Sequence, residues 1–317
     1  MTAYIARRVI LVIPTLIILS ILVFGVIRII PGNIIDLMVT QDAVLAEMDR
    51  EALEKALGLD KPIHIQYGSW LGDIITKGDL GKSLWRKTSV TGDIMTRLPI
   101  TFELGMMSII IALVVAFPVG IWSALRQDTA GDYIGRTFAI MGMAVPGFWV
   151  ATLVMVFPAL WWNWSPPVQF IAFADDPGGN LAQFIIPAVI MGMAMSATTM
   201  RMIRTMMLEV LRQDYIRTAW AKGLRERVVV MRHALKNALI PVVTIIGFLI
   251  PVMIGGSVIM EQIFTLPGIG RMMLTATFDR DYPVIIGVTM FISVAILIVN
   301  LLVDISYAYL DPRIQYR

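Results

Sequence analysis

Six apolar runs, each of about 18 residues or more, fall near residues 9 to 30, 100 to 124, 137 to 160, 183 to 200, 239 to 260 and 283 to 307. No other feature restricts the fold as strongly. About 20 helical residues rising roughly 1.5 Å each cross a 30 Å hydrocarbon layer. Lipid-exposed backbone must satisfy its polar groups within the segment, and the runs are too long for barrel strands. The expected fold class is an all-α membrane protein with six transmembrane helices. Only 15% of the residues are charged, against about a quarter in average soluble domains. With no cysteine in the chain, disulfide frameworks, thiolate metal sites and cysteine nucleophiles are excluded.

Arg7 and Arg8 precede the first run, but "RIIPGN" follows it where a signal peptide would carry small residues, so the segment reads as an uncleaved anchor. Short-loop charge sets the orientation. Arg126 and Arg136 lie in loop 125 to 136, nine Lys/Arg in loop 201 to 238, and Arg313 and Arg317 in the tail. On the opposite side, loop 161 to 182 has none, and loop 261 to 282 has Arg271 and Arg280. The positive-inside rule makes the basic side, and both termini, cytoplasmic. Five segments follow: 1–30, the N-terminus and first span; 31–99, an extracytoplasmic loop domain; 100–307, the core of the other five spans; 201–238, the cytoplasmic loop within that core; and 308–317, a cytoplasmic tail.

Within the long outer loop, "DAVLAEMDREALEKALG" predicts an amphipathic helix ended by Gly58. The segment "GSWLGDIITKGDLGKSLW" has apolar clusters broken by glycines. It suits either a cap over the membrane mouth or a docking surface for another protein. "GDLGKS" ends like a phosphate-binding loop, but Thr76 stands where that motif needs glycine. His64 and His233 are the only histidines, and neither H-E-x-x-H nor G-x-S-x-G occurs. No catalytic or metal-ligating residues are assigned.

Between the fourth and fifth spans, "RTAWAKGLRERVVVMRHALKNALIP" carries Arg217, Lys222, Arg225, Arg227, Arg232 and Lys236. Ala219 and Gly223 are four apart, a spacing that on a helix makes one small-residue face open to close approach. Lys222, Arg225 and Arg227 rim it, and Tyr215 and Trp220 add aromatic groups of the kind enriched at interfaces. The residues fit a docking element; a plain solvated basic loop is the alternative.

The pattern Arg217-Thr218-Ala219, three residues, Gly223, then "HALKNALIP" resembles the cytoplasmic loop of ABC importer permeases, whose general form is Glu-Ala-Ala, three residues, Gly, and later Ile-x-Leu-Pro. "RQDYIRTAWAKGL", "EQIFTLPGIGRMM", "RDYPVIIGV", "LVDISYAYLDPRIQYR", "LGLDKPIHIQYGSWL", "KGDLGKSLW" and the N-terminal "RRVILVIPTLIILSILVFGVIRIIPG" resemble the oligopeptide, dipeptide and nickel branch of that family. Arg217 and Thr218 replace the general Glu-Ala, and Lys236 stands at the general proline. The resemblance implies a coupling helix seated in a separate ATP-hydrolysing subunit. Ala219 and Gly223 would be its close-packed face, Arg217, Thr218, Lys222 and Arg225 its neighbouring contacts, and His233, Lys236 and Asn237 the way back to the fifth span. It further implies a second homologous permease subunit, two ATP-binding subunits holding ATP and Mg, an extracytoplasmic solute-binding protein, and residence in the lipid of a bacterial or archaeal cytoplasmic membrane. This chain itself would hold no cofactor, bind no nucleic acid and be no enzyme. Short peptides are the expected cargo, with nickel, opines, glutathione or oligosaccharides open as alternatives.

Alternating access needs segments that bend. Pro241, Pro251, Gly255 and Gly256 in the fifth span, with Pro267 and Gly268 in "FTLPGIG", are the candidate pathway and gate residues, ordinary transmembrane kinking being the alternative. Met191 and Met195 share a face without Met193 and read as packing, not as an adaptable ligand surface. Asn300 is expected to bridge helices. Neither paired intramembrane charges nor a repeated broken-helix signature is evident, as a self-powered secondary transporter or channel would show.

Overall fold

The computed structural model describes residues 2–29, 60–167 and 169–310. The amphipathic helix read at 42–58 lies outside the described residues. The described helices are α1 (Thr2–Ile29), α2 (Ile63–Lys77), α3 (Val90–Leu125), α4 (Ala130–Ala144), α5 (Gly147–Trp162), α6 (Pro177–Leu211), α7 (Asp214–Ala221), α8 (Leu235–Ile263), α9 (Ile269–Phe278) and α10 (Tyr282–Leu310). A turn at Glu226–Val228 and a π-helical segment, Val229–Ala234, join α7 to α8.

Local chemistry sets several ends. The Thr129 hydroxyl accepts from the Asp132 N–H to cap α4. Asp176 caps α6 in the same way, and Pro177 begins it, where a missing N–H costs nothing. Gly78, left-handed at φ 63°, ends α2.

Among the described residues, four helices are long and apolar enough to cross a membrane, corresponding to the first, second, fourth and sixth predicted runs. The third is not one straight span. It divides into α4 and α5, bent by 86°. Pro146 explains the break, because a residue preceding proline is driven from helical to extended geometry, and Val145 has φ −91° and ψ 119°. The fifth run lies in the 29-residue helix α8. The helix α8 continues through Pro241, Pro251, Gly255 and Gly256. A proline forfeits one ladder hydrogen bond, and a long helix that remains bonded on both sides of it can continue. Its N-terminal approach is the π segment, where each bond skips one residue further. Asn300, expected to bridge helices, is exposed on α10.

The chain forms two compact units. Of the described residues, the first holds those within 98–271 and 298–310. One of its apolar clusters gathers Leu104, Phe184, Met191, Met195, Met253 and Met260, so Met191 and Met195 are packing residues. The other gathers Met200, Ile203, Met207, Ile216, Val229 and Val230. The second unit holds the described residues 2–29, 60–97 and 272–297. There the sequence that mimics a phosphate loop has a structural task. The Ser83 hydroxyl donates to Asp281 at 2.5 Å and the Leu84 N–H donates to the same carboxylate at 3.1 Å.

Candidate functional site

The basic loop is held on the packed end of the first unit. In α7, Ile216 and Ala219, three residues apart, are buried in the cluster of Met207, Val229 and Val230, while Tyr215, Arg217, Thr218 and Trp220 are exposed. Asp214 sits in the first turn, where a carboxylate is favourable to the helix dipole. It pairs with Arg217 at 3.6 Å, and the Thr218 hydroxyl donates back to the Asp214 carbonyl at 3.0 Å.

The helix stops at Ala221, so Ala219 and Gly223 do not form the shared helical face expected from their spacing. Gly223 has φ +72°. Its N–H donates to the Trp220 carbonyl at 2.9 Å, and the Leu224 N–H donates to the Ala219 carbonyl at 3.4 Å. That bond pair is the Schellman ending, in which a left-handed glycine satisfies the last carbonyls. Ala219 is small because its own chain packs over it. Gly223 reverses the backbone, and a Cβ there would meet nothing within 4 Å. Its position, one residue past the last periodic residue, is the sequence signal for such a stop.

Around and after Gly223, Lys222, Arg225, Arg227, Arg232 and Lys236 present an exposed basic surface, with Val228 and Met231 exposed among them. A small polar strap ties this surface to α8. The Asn237 amide donates to the Tyr215 hydroxyl at 2.8 Å and to the His233 carbonyl at 3.3 Å. Thus His233 acts here through its backbone carbonyl.

Beneath the loop lies a charge cluster that residue-by-residue reading missed. Asp132, fully buried in the first turn of α4, receives both Nε and Nη2 of Arg204 at 3.2 Å each. It also receives Arg136 Nη2 at 2.8 Å, the Asp128 N–H at 3.1 Å and the Ser123 hydroxyl. Three elements, α3, α4 and α6, converge on one carboxylate. On the surface, Arg126 reaches Glu226 at 3.4 Å, linking the turn after α3 to the basic loop. The only sequence signal was the Asp132/Arg136 spacing of four; Arg204 is 72 positions away.

The second missed residue is Glu261, fully buried at the end of α8. Its carboxylate accepts the Thr101 hydroxyl at 2.7 Å and the Arg271 N–H at 2.9 Å. Thr101 in turn accepts the Ile269 N–H at 2.8 Å, and Arg271 donates to the Thr265 carbonyl at 2.7 Å. This network folds the turn at 264–268 over the carboxylate. Of the candidate gate residues, Gly268 is bound up in it directly: a Cβ there would come within 2.3 Å of the Glu261 carboxyl carbon. Pro267 is half-buried beside it. Gly255 lies on an open face of α8, and a Cβ at Gly256 would touch Met191 at 3.3 Å. Pro241 lies in α8, 23 residues before the start of this turn at 264, so the candidate gate residues are not one cluster.

Comparison with known proteins places these features in a family. Residues 116–316 match the model of the binding-protein-dependent transport system inner membrane component, and residues 1–105 match the model of the N-terminal region of such membrane components. The chain is 42% identical over 320 residues to the oligopeptide transport system permease protein AppB of Bacillus subtilis, covering all of both chains. It is 38% identical over 316 residues to a putative peptide transport system permease protein of Brucella abortus, and 36% identical over 340 residues to the dipeptide transport system permease protein DppB of Escherichia coli, again covering all of each chain. A solved structure, described as the crystal structure of an amino acid ABC transporter with histidines, has a TM-score of 0.53 at 12% identity, covering 69% of this chain and 94% of that one, a likeness of fold. With two family models spanning nearly its whole length, the chain belongs to the inner membrane components of binding-protein-dependent transport systems.

Proposed function

We propose that this chain is half of the pore of an ATP-driven importer for di- or oligopeptides. The relatives' names support peptides over nickel as the cargo. The observation that carries the coupling role is the exposed face of α7 and the following turn. Tyr215, Trp220, Val228 and Met231 are displayed among basic residues while Ile216 and Ala219 fix the element to the bundle. An element rigidly joined to its own core transmits displacement, and its exposed aromatic and basic groups suit a protein partner.

In this reading two ATP-binding subunits, carrying ATP and Mg, seat the loop on the cytoplasmic side. Arg217, Thr218, Lys222, Gly223 and Arg225 form the contact surface, and His233, Lys236 and Asn237 carry motion into α8. A second homologous permease completes the pathway, and a solute-binding protein delivers peptide from outside. ATP binding shifts the complex only to the extent that the ATP-bound subunits hold one conformation more tightly than the other. The membrane is a bacterial or archaeal cytoplasmic membrane, with both termini inside. The α8 helix and the turn at 264–268 line and close the route. Proteoliposomes containing the full complex test the reading: labelled dipeptide should accumulate only with the binding protein outside and ATP inside. Equal entry without ATP would overturn it.

A further inference from the structure

Gly268 stands immediately before α9, where a serine, threonine, asparagine or aspartate would ordinarily accept from the unpaired N–H groups of the first turn. A glycine has no side chain to do this. The acceptors come instead from α8 and α3. The Ile269 N–H donates to the Thr101 hydroxyl at 2.8 Å, the Arg271 N–H donates to Glu261 Oε2 at 2.9 Å, and the Gly270 N–H donates to the same carboxylate. Thr101 joins the two acceptors, since its own proton goes to Glu261 Oε1 at 2.7 Å. All of these residues lie in the first unit.

Two glycines make room for this remote cap. A Cβ on Gly268 would come within 2.3 Å of the Glu261 carboxyl carbon, so a residue able to cap α9 locally would displace the carboxylate that caps it here. A Cβ on Gly270 would come within 2.6 Å of the Val258 Cα, so the first turn of α9 lies directly against the backbone of α8. Between these clamps the turn has little slack. Thr265 is left-handed at φ 56°, its carbonyl accepts Arg271 Nη1 at 2.7 Å, and Leu266 is fully buried in the cluster of Leu104, Phe184 and Met260.

A turn that needed only packing would be as well served by an apolar residue of similar volume, because taking a carboxylate out of water is costly. What the carboxylate adds is direction. Its bonds to α9 form in one position of the turn, and a small displacement leaves buried acceptors short of donors, a worse state than full bonding or full hydration. The element therefore has two settings, with the N–H bonds all made or all exchanged for water. From this we infer that Glu261 is a positioning residue for transport: with Thr101 it holds the turn at 264–268 shut, and opening breaks the three backbone bonds together. The inference rests on the reading that this turn closes the route.

Glu261→Gln keeps the size of the side chain but turns an NH2 group toward donors whichever way the amide lies. Thr101→Val removes the bridging hydroxyl, and Thr101→Ser restores it. In proteoliposomes holding the full complex and the binding protein, the quantity to measure is labelled dipeptide imported per ATP hydrolysed. A merely structural role lowers the amount of working complex and leaves this ratio unchanged. The ratio should fall several-fold in Glu261→Gln and Thr101→Val, through ATP hydrolysed without import, and stay near the wild-type value in Thr101→Ser. Import and hydrolysis that fall in proportion, or a Thr101→Ser complex that fails as Thr101→Val does, would overturn the inference. Hydrogen exchange of segment 264–271 in the resting complex, read by mass spectrometry, reports the positioning without transport. Exchange should be several-fold faster in Glu261→Gln than in wild type, and equal rates would also overturn the inference. If the wild-type complex imports peptide without ATP, it is the importer reading that has failed, and the exchange rates still decide whether Glu261 holds the turn.

Discussion

Removing the carboxylate of Asp132 should cost more than removing either arginine that binds it. Asp132 is fully buried, Arg204 is 19% exposed and Arg136 is 36% exposed. Two unit charges about 4 Å apart interact by about 4 kcal/mol at an effective dielectric of 20. Replacing Asp132 by Asn removes the buried carboxylate from Arg204 and leaves Arg136 only the exposed Asp128 at 3.6 Å, close to the condition under which breaking a buried pair costs about 3–5 kcal/mol. Arg204→Met is milder, because Arg136, at 2.8 Å, still neutralises the carboxylate. Arg136→Met should cost least, about 1 kcal/mol or less, since its partly exposed charge is screened and Arg204 keeps its two bonds. The assay is the denaturation midpoint of the purified complex in matched micelles for the three variants and the Asp132→Asn/Arg204→Met pair. The pair should show a coupling energy of about 0.5–3 kcal/mol. Equal losses for Arg136→Met and Asp132→Asn, or strict additivity in the pair, would refute the convergence of three elements on this carboxylate.

Further outcomes follow from the loop and the gate. Gly223→Asn tolerates a left-handed backbone and projects into space that is open in this chain, whereas Gly223→Val adds a strain cost of about 1–2 kcal/mol. If the ATP-binding subunits cover Gly223, both variants lose them in co-purification; retention by Asn alone would show that only backbone strain mattered. Lys222→Glu and Arg225→Glu should weaken that association less than Gly223→Asn, since rim charges are partly solvated, and salt titration of the bound fraction checks it. Gly268→Ala should destabilise by about 1–3 kcal/mol through overpacking. Glu261→Ala removes the atoms that Cβ would strike, so in thermal unfolding the double variant should lose less than the sum of the two; simple addition would contradict the close approach.

The four long apolar helices were legible because burial in lipid leaves a local signature, a run of apolar residues whose length matches the membrane. The basic loop was legible for a similar reason, being continuous in the chain. Yet the spacing of Ala219 and Gly223 misled: a period of four implies a shared face only while the helix lasts, and the same glycine ends it. The break at Val145–Pro146 was written in "AVPGFW" and outweighed by its apolar surroundings. Apart from the Asp132/Arg136 spacing of four, two networks left almost no local trace. Arg204 meets Asp132 across 72 positions, and Thr101 meets Glu261 across 160. Arg136 and Arg204 counted only as charges setting topology, and nothing in their neighbours singled out Asp132, Thr101 or Glu261. Only the packing of α3, α4, α6 and α8 within the first unit turns them into shared, buried sites.

The central claim is that the surface around α7 seats an ATP-binding subunit and moves with it. Because the chain has no cysteine, Lys222→Cys gives one reactive site, and a short bifunctional thiol reagent reports what lies beside it in the assembled complex. The expected product is a cross-link to the ATP-binding subunit whose yield changes when ATP is trapped in its hydrolysis transition state. A Lys222→Cys chain that forms no such cross-link while its complex still imports peptide with ATP would contradict the assignment of this loop.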